Sequence, residues 1–193
     1  MAFGILSVDC WHVGASNFRA NGAAATMKRK YWVLLITCLL VLSMDQYTKY
    51  TVQKNLPLHR RVEVIGDFFN LTHVRNTGGA FGIFGGKRGG LGMVFFVGVS
   101  IIAVGTILVL LRKTEDDEKN LALSFSLVLA GAVGNLIDRL LYGEVIDFLE
   151  FYHASFYWPA FNIADSAICI GIGLMAFELL IWDHKKSKKR IGC

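Results

Sequence analysis

The chain has 193 residues, of which 54% are hydrophobic and only 18% are charged, and its net charge is +5. A soluble globular domain is usually closer to one quarter charged, so this composition argues against an ordinary soluble protein. Lysine and arginine cluster beside long apolar runs, which is the topology signal of membrane proteins rather than the pattern of a nucleic-acid-binding surface. We therefore expect a polytopic membrane protein with one compact bundle.

The chain opens with 26 residues that do not fit a signal peptide, because the apolar start AFGIL is short and no basic region precedes it. A basic run at 28–30 then leads directly into an apolar stretch, as in the natural start of an uncleaved first span. We expect residues 1–26 to be a dispensable extension, and loss of activity on starting translation at Met27 would contradict this. Residues 27–184 are predicted to form a single domain, followed by a basic cytoplasmic tail at 185–193.

Four apolar stretches are long enough to cross a bilayer, which takes about 20 residues. They are predicted at 31–52, 91–111, 121–141 and 162–182. With four spans, both termini and the 112–119 loop share one side, and their basic clusters identify that side as cytoplasmic. In the third span, small residues favour close approach by a neighbouring helix; they are Ala130, Gly131, Ala132 and Gly134.

The segment 53–90 differs from the spans. Its β-branched and aromatic residues at 62–65 and 68–74 predict two short strands, with a turn at 66–67. Two glycine clusters follow, and they lack the GK[ST] ending of a phosphate-binding loop. We expect a small extramembrane sheet here, on the same side as the 143–160 loop.

Metal, disulfide and cofactor chemistry find no support in the sequence. The four cysteines lack C-x-x-C or metal-like spacing, and HExxH is absent. Cys38 and Cys169 lie in apolar runs and are expected in the core. For nucleophilic catalysis, Ser155 and Ser166 lack a clear base, with His153 as a weak candidate.

Polar groups from separate segments are predicted to converge near the outer ends of the spans; they are Asp45, Lys49, Asn76, Asp138, Arg139, Asp147 and Asp165. A purely structural bundle has no need of that convergence. Asp45 and Lys49, at i and i+4, form either a self-neutralising ion pair or a polar face turned toward an active site. For Asp138 and Arg139, an internal pair at a helix end is the simplest interpretation.

Asp147 and Asp165 are the best candidates for a catalytic pair. Asn162 is a natural helix N-cap, so Asp165 also fits a capping box, and on its own this structural role would be favoured. Asp147 lies among Val, Ile, Phe and Leu and has no such ready role. Two carboxylates in a partly desolvated site tend to share one proton, and can then act as general base and general acid in peptide hydrolysis. The helix N-terminus would favour ionised Asp165, leaving Asp147 as the protonated partner.

The alternative from another class is a small transporter or assembly subunit, whose membrane carboxylates move protons or pair helices. Transport without peptide cleavage would decide for it. Five motifs in a fixed order bear on the choice. They read DQYTK at 45–49, RNTGGAF at 75–81, GNLIDR at 134–139, GEVIDF at 143–148 and PAFNIADS at 159–166. In this order and spacing the chain resembles the bacterial lipoprotein signal peptidases (signal peptidase II) from about residue 27 to 182.

The resemblance implies an all-α membrane protein with four transmembrane helices and a small periplasmic β-sheet cradle. It implies an inner-membrane aspartic endopeptidase that cleaves diacylglyceryl-modified prolipoproteins before the lipidated cysteine, without a cofactor or metal. The catalytic dyad would be Asp147 and Asp165. Positions that shape the site and hold substrate would be Asp45, Lys49, Asn76, Asn135, Arg139 and Asn162. Globomycin-type inhibition and a monomeric enzyme are expected, and Gly79 departs from the family pattern in a way that would loosen its loop.

Overall fold

The computed structural model describes residues 27–78 and 90–191 and contains four long helices and one small antiparallel sheet. The helices are α1 (Arg29–Asn55), α2 (Leu91–Lys113), α3 (Lys119–Tyr142) and α4 (Ile163–Ile191). Each contains a stretch long and apolar enough to cross a membrane. The predicted four-helix class with a small sheet is therefore confirmed. The expectations for residues 1–26, for Gly79 and its loop, and for the last two residues lie outside the described residues.

The third helix forms the centre of the bundle, because α3 packs against each of the other three helices. Its small residues allow this packing. A Cβ on Gly131 would collide with the backbone oxygen of Ala164 and would lie 2.7 Å from Cγ1 of Ile168, both on α4. A Cβ on Gly134 would lie 2.8 Å from Oδ2 of Asp45 on α1. The predicted close helix approach is confirmed at these two positions.

Gly131→Ala is expected to destabilise the protein by about 1–3 kcal/mol, because the atom nearest to the added methyl group belongs to the backbone of α4, which cannot move aside as a flexible side chain can. The measurement is thermal unfolding of the purified protein in detergent. Gly105→Ala on α2 is the matched control, since nothing lies within 4 Å of its added Cβ. That substitution should be neutral or stabilising, because alanine favours helix over glycine by about 1 kcal/mol. Equal destabilisation by the two substitutions would contradict the packing explanation.

The sheet contains four antiparallel strands in the order β1-β2-β3-β4. They are β1 (Arg61–Ile65), β2 (Phe69–Asn76), β3 (Val145–His153) and β4 (Phe156–Tyr157). The predicted β1–β2 hairpin is confirmed. The sequence predicted only a loop over 143–160, and the structure shows that β3 lies within this segment and pairs with β2. In this register Val74 lies opposite Asp147, and Asn76 lies opposite Val145.

The sheet lies at the end of the bundle where α1 and α3 end and where α4 begins. Gly143 makes the abrupt exit from α3, with a left-handed φ of 74° and an N–H that donates to the carbonyl of Arg139 at 3.0 Å. This is the usual glycine-terminated helix end. Because only Glu144 separates this cap from β3, the strand starts directly at the end of the bundle.

The opposite end of the bundle is closed by Lys30, whose side chain is buried. Its ammonium group donates to the carbonyl of Arg112 at 2.9 Å and to the carbonyl of Thr114. The last carbonyls of a helix lack partners within the helix and attract positive charge. Lys30 thus ties the start of α1 to the end of α2. One expectation is wrong: Cys169 lies on the exposed surface of α4 rather than in the core.

Candidate active site

Two carboxylates from different elements meet at one asparagine. Asp147 lies on β3, and Asp165 lies in the first turn of α4. The side-chain amide of Asn162 donates to Oδ1 of Asp147 at 2.8 Å. The backbone N–H of the same asparagine donates to Oδ2 of Asp165 at 3.2 Å. A single residue, Asn162, thus bonds both carboxylates.

The capping box predicted for α4 is present. The N–H of Asp165 donates to Oδ1 of Asn162 at 2.9 Å, which is the reciprocal of the bond that Asp165 accepts. This structural role does not use the whole carboxylate, because Oδ1 of Asp165 accepts a separate bond from the amide of Asn135 at 2.7 Å. Asp165 therefore caps its helix and also belongs to the polar cluster around Asp147.

Asp147 occupies an enclosed environment, with only 3% of its surface exposed. Its Oδ2 accepts a bond from the amide of Asn76 at 3.1 Å. Among the described residues, no cation lies within ion-pair distance of this carboxylate. Burial, followed by the nearby charge of Asp165, raises the pKa of Asp147 to about 7, against the opposing effect of the bonds from Asn76 and Asn162.

A buried ion cluster, formed by Asp45, Lys49 and Asp138, adjoins the two carboxylates. Lys49 Nζ lies 2.7 Å from Oδ2 of Asp45 and 2.8 Å from Oδ2 of Asp138. Asp45 and Asp138 are 0% exposed, and Lys49 is 1% exposed. The ion-pair interpretation of Asp45 and Lys49 is confirmed, with Asp138 as a third member. The internal pair expected between Asp138 and Arg139 is wrong, since within the described part of the chain Asp138 pairs with Lys49 instead.

The ion cluster also orients the backbone beside each carboxylate. Oδ1 of Asp45 accepts a bond from the N–H of Ala164 at 2.9 Å. Oδ2 of Asp138 accepts a bond from the N–H of Ile146 at 3.2 Å. Ala164 directly precedes Asp165, and Ile146 directly precedes Asp147. Asp45 thus holds the N–H of the residue before Asp165, and Asp138 holds the N–H of the residue before Asp147.

Asn135 connects the ion cluster to the candidate pair. Its Oδ1 accepts bonds from Lys49 and from Asn162, each at 3.2 Å, and its Nδ2 donates to Asp165. The amide orientation of Asn135 follows from this arrangement, because the ammonium group can only donate. The sequence named Asn135 as a site position only through the family resemblance, and nothing in its local pattern indicated this role.

Gln46 supports the site although no sequence pattern predicted this role. Its amide donates at 3.1 Å to both Asp45 and Asp138. It therefore bridges α1 and α3 within the ion cluster. The sequence feature that could have indicated this role is the position of Gln46, one residue after Asp45 on the polar side of an otherwise apolar helix.

Arg139 lies at the edge of the site and is half-buried. It donates from Nη1 to the carbonyl of Asn135 at 3.3 Å, and its guanidinium carbon lies 5.3 Å from the centre of the Phe96 ring. In the described residues it forms no ion pair. Its charge thus remains available at the site, where it is attracted to both Asp147 and Asp165.

Other chemistries receive no support from the geometry. The hydroxyl of Ser166 donates to the carbonyl of Asn162, while His153 lies exposed at the far end of β3. No group of three or more metal-ligating side chains is assembled within 27–78 and 90–191. What the bundle does present is two carboxylates around one asparagine, one of them with a raised pKa. The class defined by this fold and site is a multi-pass membrane protein with a paired-carboxylate site suited to hydrolysis.

Comparison with known proteins specifies the family. Residues 37–181 match the sequence model of signal peptidase (SPase) II. The chain is 44% identical over 161 residues to the lipoprotein signal peptidase of Syntrophus aciditrophicus (strain SB), covering 83% of this chain and 100% of that one. It is 41% identical over 165 residues to the lipoprotein signal peptidase of Geobacter metallireducens, covering 84% and 99%. The chain belongs to the signal peptidase II family, and the resemblance found in its motifs is confirmed.

Solved structures agree with this assignment. Two bacterial membrane enzymes, determined by the in meso method at 2.3 and 1.9 Å, superpose with TM-scores of 0.69 and 0.67. Each is 36% identical to this chain and covers 77% of it, and the alignment spans 88% and 93% of the two solved chains. The protein is thus a multi-pass peptidase of the bacterial inner membrane, from a family that removes signal peptides from prolipoproteins. Membership favours peptide hydrolysis over the transport or assembly alternative.

Proposed function

We propose that the chain cleaves diacylglyceryl-modified prolipoproteins directly before the lipidated cysteine, with Asp147 and Asp165 as its catalytic dyad. One observation carries the proposal. Asn162 bonds both carboxylates, and burial together with the charge of Asp165 raises the pKa of Asp147 to about 7. Carboxylates whose environments separate their proton affinities supply an acid and a base at one site.

The two carboxylates divide the chemistry as follows. Asp165, oriented by bonds from the amides of Asn135 and Asn162, acts as the general base and removes a proton from the attacking water. Protonated Asp147 donates its proton to the oxygen of the scissile carbonyl. Collapse of the tetrahedral intermediate then breaks the C–N bond, with the proton held by Asp165 passing to the leaving amine and the hydroxyl proton returning to Asp147.

The remaining site residues have two proposed roles: some contact the substrate, and the others hold the two carboxylates in position. We assign contact with the substrate backbone to Asn76 and Arg139, because both are half-buried at the edge of the site. Asn135 and Asn162 orient the carboxylates. Direct substrate contact is not supported for Asp45 and Lys49, because their side chains are 0% and 1% exposed. We assign these two residues to positioning.

We further propose that both termini are cytoplasmic and that the dyad works near the periplasmic face. The basic clusters flank the bundle end opposite the sheet, as the positive-inside rule requires. A lipid-modified substrate reaches such a site laterally, with its acyl chains and signal helix in the bilayer. One chain supplies both carboxylates, so we expect a monomer to be active and globomycin-type compounds to inhibit it. The direct test is cleavage of a lipidated prolipoprotein by Asp147→Asn and Asp165→Asn variants, with substrate binding measured in parallel.

Cleavage is expected to decline as the pH rises through about 7, the pKa of Asp147. Above this pH the pair loses the proton that Asp147 must donate, and the loss belongs to the coupled pair rather than to one residue. The measurement is kcat/KM against pH with a purified substrate. A profile that stays flat from pH 6 to pH 9 would contradict the assignment of Asp147 as the acid.

A stability measurement tests the same pKa without catalysis. Because folding raises the pKa of this carboxyl, ionising it in the folded protein costs free energy, so stability falls between about pH 4 and pH 7. Asp147→Asn removes that cost. Its melting temperature relative to wild type should therefore rise with pH over this range and level off above it. A constant difference at all pH values would show that Asp147 has an ordinary pKa.

A further inference from the structure

The sheet carries an aromatic cavity that the dyad does not use. The cavity has a volume of about 320 Å³, and its walls include Phe68, Phe151, Phe156, Trp158 and Phe161. Phe156 is 65% exposed and Trp158 is 55% exposed. Concave, mostly apolar surfaces of this size are typical of ligand sites.

Part of the cavity wall lies on the same face of the sheet as Asp147. Side chains alternate along a strand, so Asp147, Leu149 and Phe151 share one face of β3. Leu149 forms a bridge with Phe161, and the Phe161 ring stacks on Phe151 with centres 5.8 Å apart. The backbone N–H of Trp158 donates to the carbonyl of Phe151, so Trp158 lies on the segment next to β3. From Asp147 to Phe151 the strand advances by four residues, or about 13 Å.

One wall of the cavity is next in sequence to a residue of the candidate active site. Phe161 directly precedes Asn162, the residue that bonds both carboxylates. The lining residues all lie outside the membrane-spanning helices, on the side from which the chain enters α4. In the proposed function the signal helix of the substrate lies in the bilayer, so the part that follows the cleaved bond lies on the side of the bundle that carries the sheet.

We propose that this aromatic cavity is a subsite for an apolar side chain of the mature part of the prolipoprotein, about four residues after the cleaved bond. The inference rests on the proposed function. A substrate in extended form advances about 3.3 Å per residue, so four residues span the same 13 Å that separate Asp147 from Phe151. The aromatic walls favour phenylalanine, leucine or methionine and disfavour charged side chains, which would lose water without gaining a partner.

The experiment uses lipidated prolipoprotein substrates with a single phenylalanine, moved from the second to the seventh position after the cleaved bond in a serine-glycine background. The full-length enzyme should cleave with a kcat/KM maximum at the third to fifth positions, about tenfold above the others and expressed mainly in KM. Trp158→Ser should flatten this positional preference. Val64→Ser is the control, because Val64 is an exposed apolar side chain on β1 and is not a wall of the cavity.

Two results would overturn the proposal. The first is a wild-type enzyme with no positional preference. The second is a Trp158→Ser variant that loses the same activity on every substrate, together with quenching of Trp158 fluorescence by brominated phospholipids in vesicles. Because the chain has four tryptophans, the Trp158 signal is taken as the difference between wild type and Trp158→Ser, and its quenching would assign the cavity to bilayer lipid. Both results leave the proposed function standing, since failure of the dyad would instead appear as full cleavage by Asp147→Asn.

Discussion

Asp147→Asn is expected to lower kcat for cleavage of a diacylglyceryl-modified prolipoprotein by at least about a thousandfold, while substrate binding and the fold are retained. Asparagine keeps the size of the side chain and still offers an oxygen to one of the two amides, Asn76 or Asn162, that bond Asp147. It cannot donate and recover a proton during hydrolysis. A loss of turnover without a loss of binding is the result that separates catalysis from structure.

Asp165→Asn should produce a loss of similar size, because the water then lacks its base. Its remaining side-chain oxygen can still accept the bond from the N–H of Asn162, so the capping box is largely preserved. Asp116→Asn, in the exposed loop between α2 and α3, is the matched control and should cleave normally. Near-normal cleavage by either active-site variant would assign that carboxylate to a structural role.

Lys49→Met is expected to have the largest effect on stability, a loss of about 3–5 kcal/mol. The substitution leaves the carboxylates of Asp45 and Asp138 buried without their shared cation. It also removes the donor to Asn135. The measurements are thermal unfolding in detergent and the yield of folded protein, with Lys54→Met, an exposed lysine on the same helix, as the control.

A triple variant tests whether charge or side-chain packing causes the stability loss of Lys49→Met. Replacing all three members, with Asp45→Asn and Asp138→Asn added to Lys49→Met, removes the uncompensated charges and should recover much of the stability. Catalysis should recover less, because the N–H groups of Ala164 and Ile146 would then be held by weaker, neutral acceptors. A triple variant as unstable as Lys49→Met alone would show that side-chain packing, rather than charge, determines the cost.

Local patterns were sufficient for several features of the site. The capping box of Asn162 and Asp165 depends on residues three positions apart, and the β1–β2 hairpin depends on a turn between adjacent strands. The i,i+4 pairing of Asp45 and Lys49 is set by one helix face. Each of these features joins residues that are close together in the chain, so a local sequence pattern is enough to predict it.

Contacts between distant segments were not accessible in this way. Asp138 was expected to pair with its neighbour Arg139, yet its partner is Lys49 on another helix. Adjacent residues on a helix point in different directions, so nearness in sequence was a poor guide. The bond from Asn76 to Asp147 likewise depends on the pairing of β2 with β3, which joins segments about 70 residues apart in the chain.

The sequence by itself determined the class of the protein, the number of spans and the identity of the two candidate carboxylates, because hydrophobicity and motif order are properties of the linear chain. Only the tertiary structure decided how those carboxylates are held. Asn162 bonds both of them, and the ion cluster of Asp45, Lys49 and Asp138 holds the backbone beside each. Burial and the charge of a residue on another element raise the pKa of Asp147 to about 7, and both effects exist only when β3 and α4 have come together.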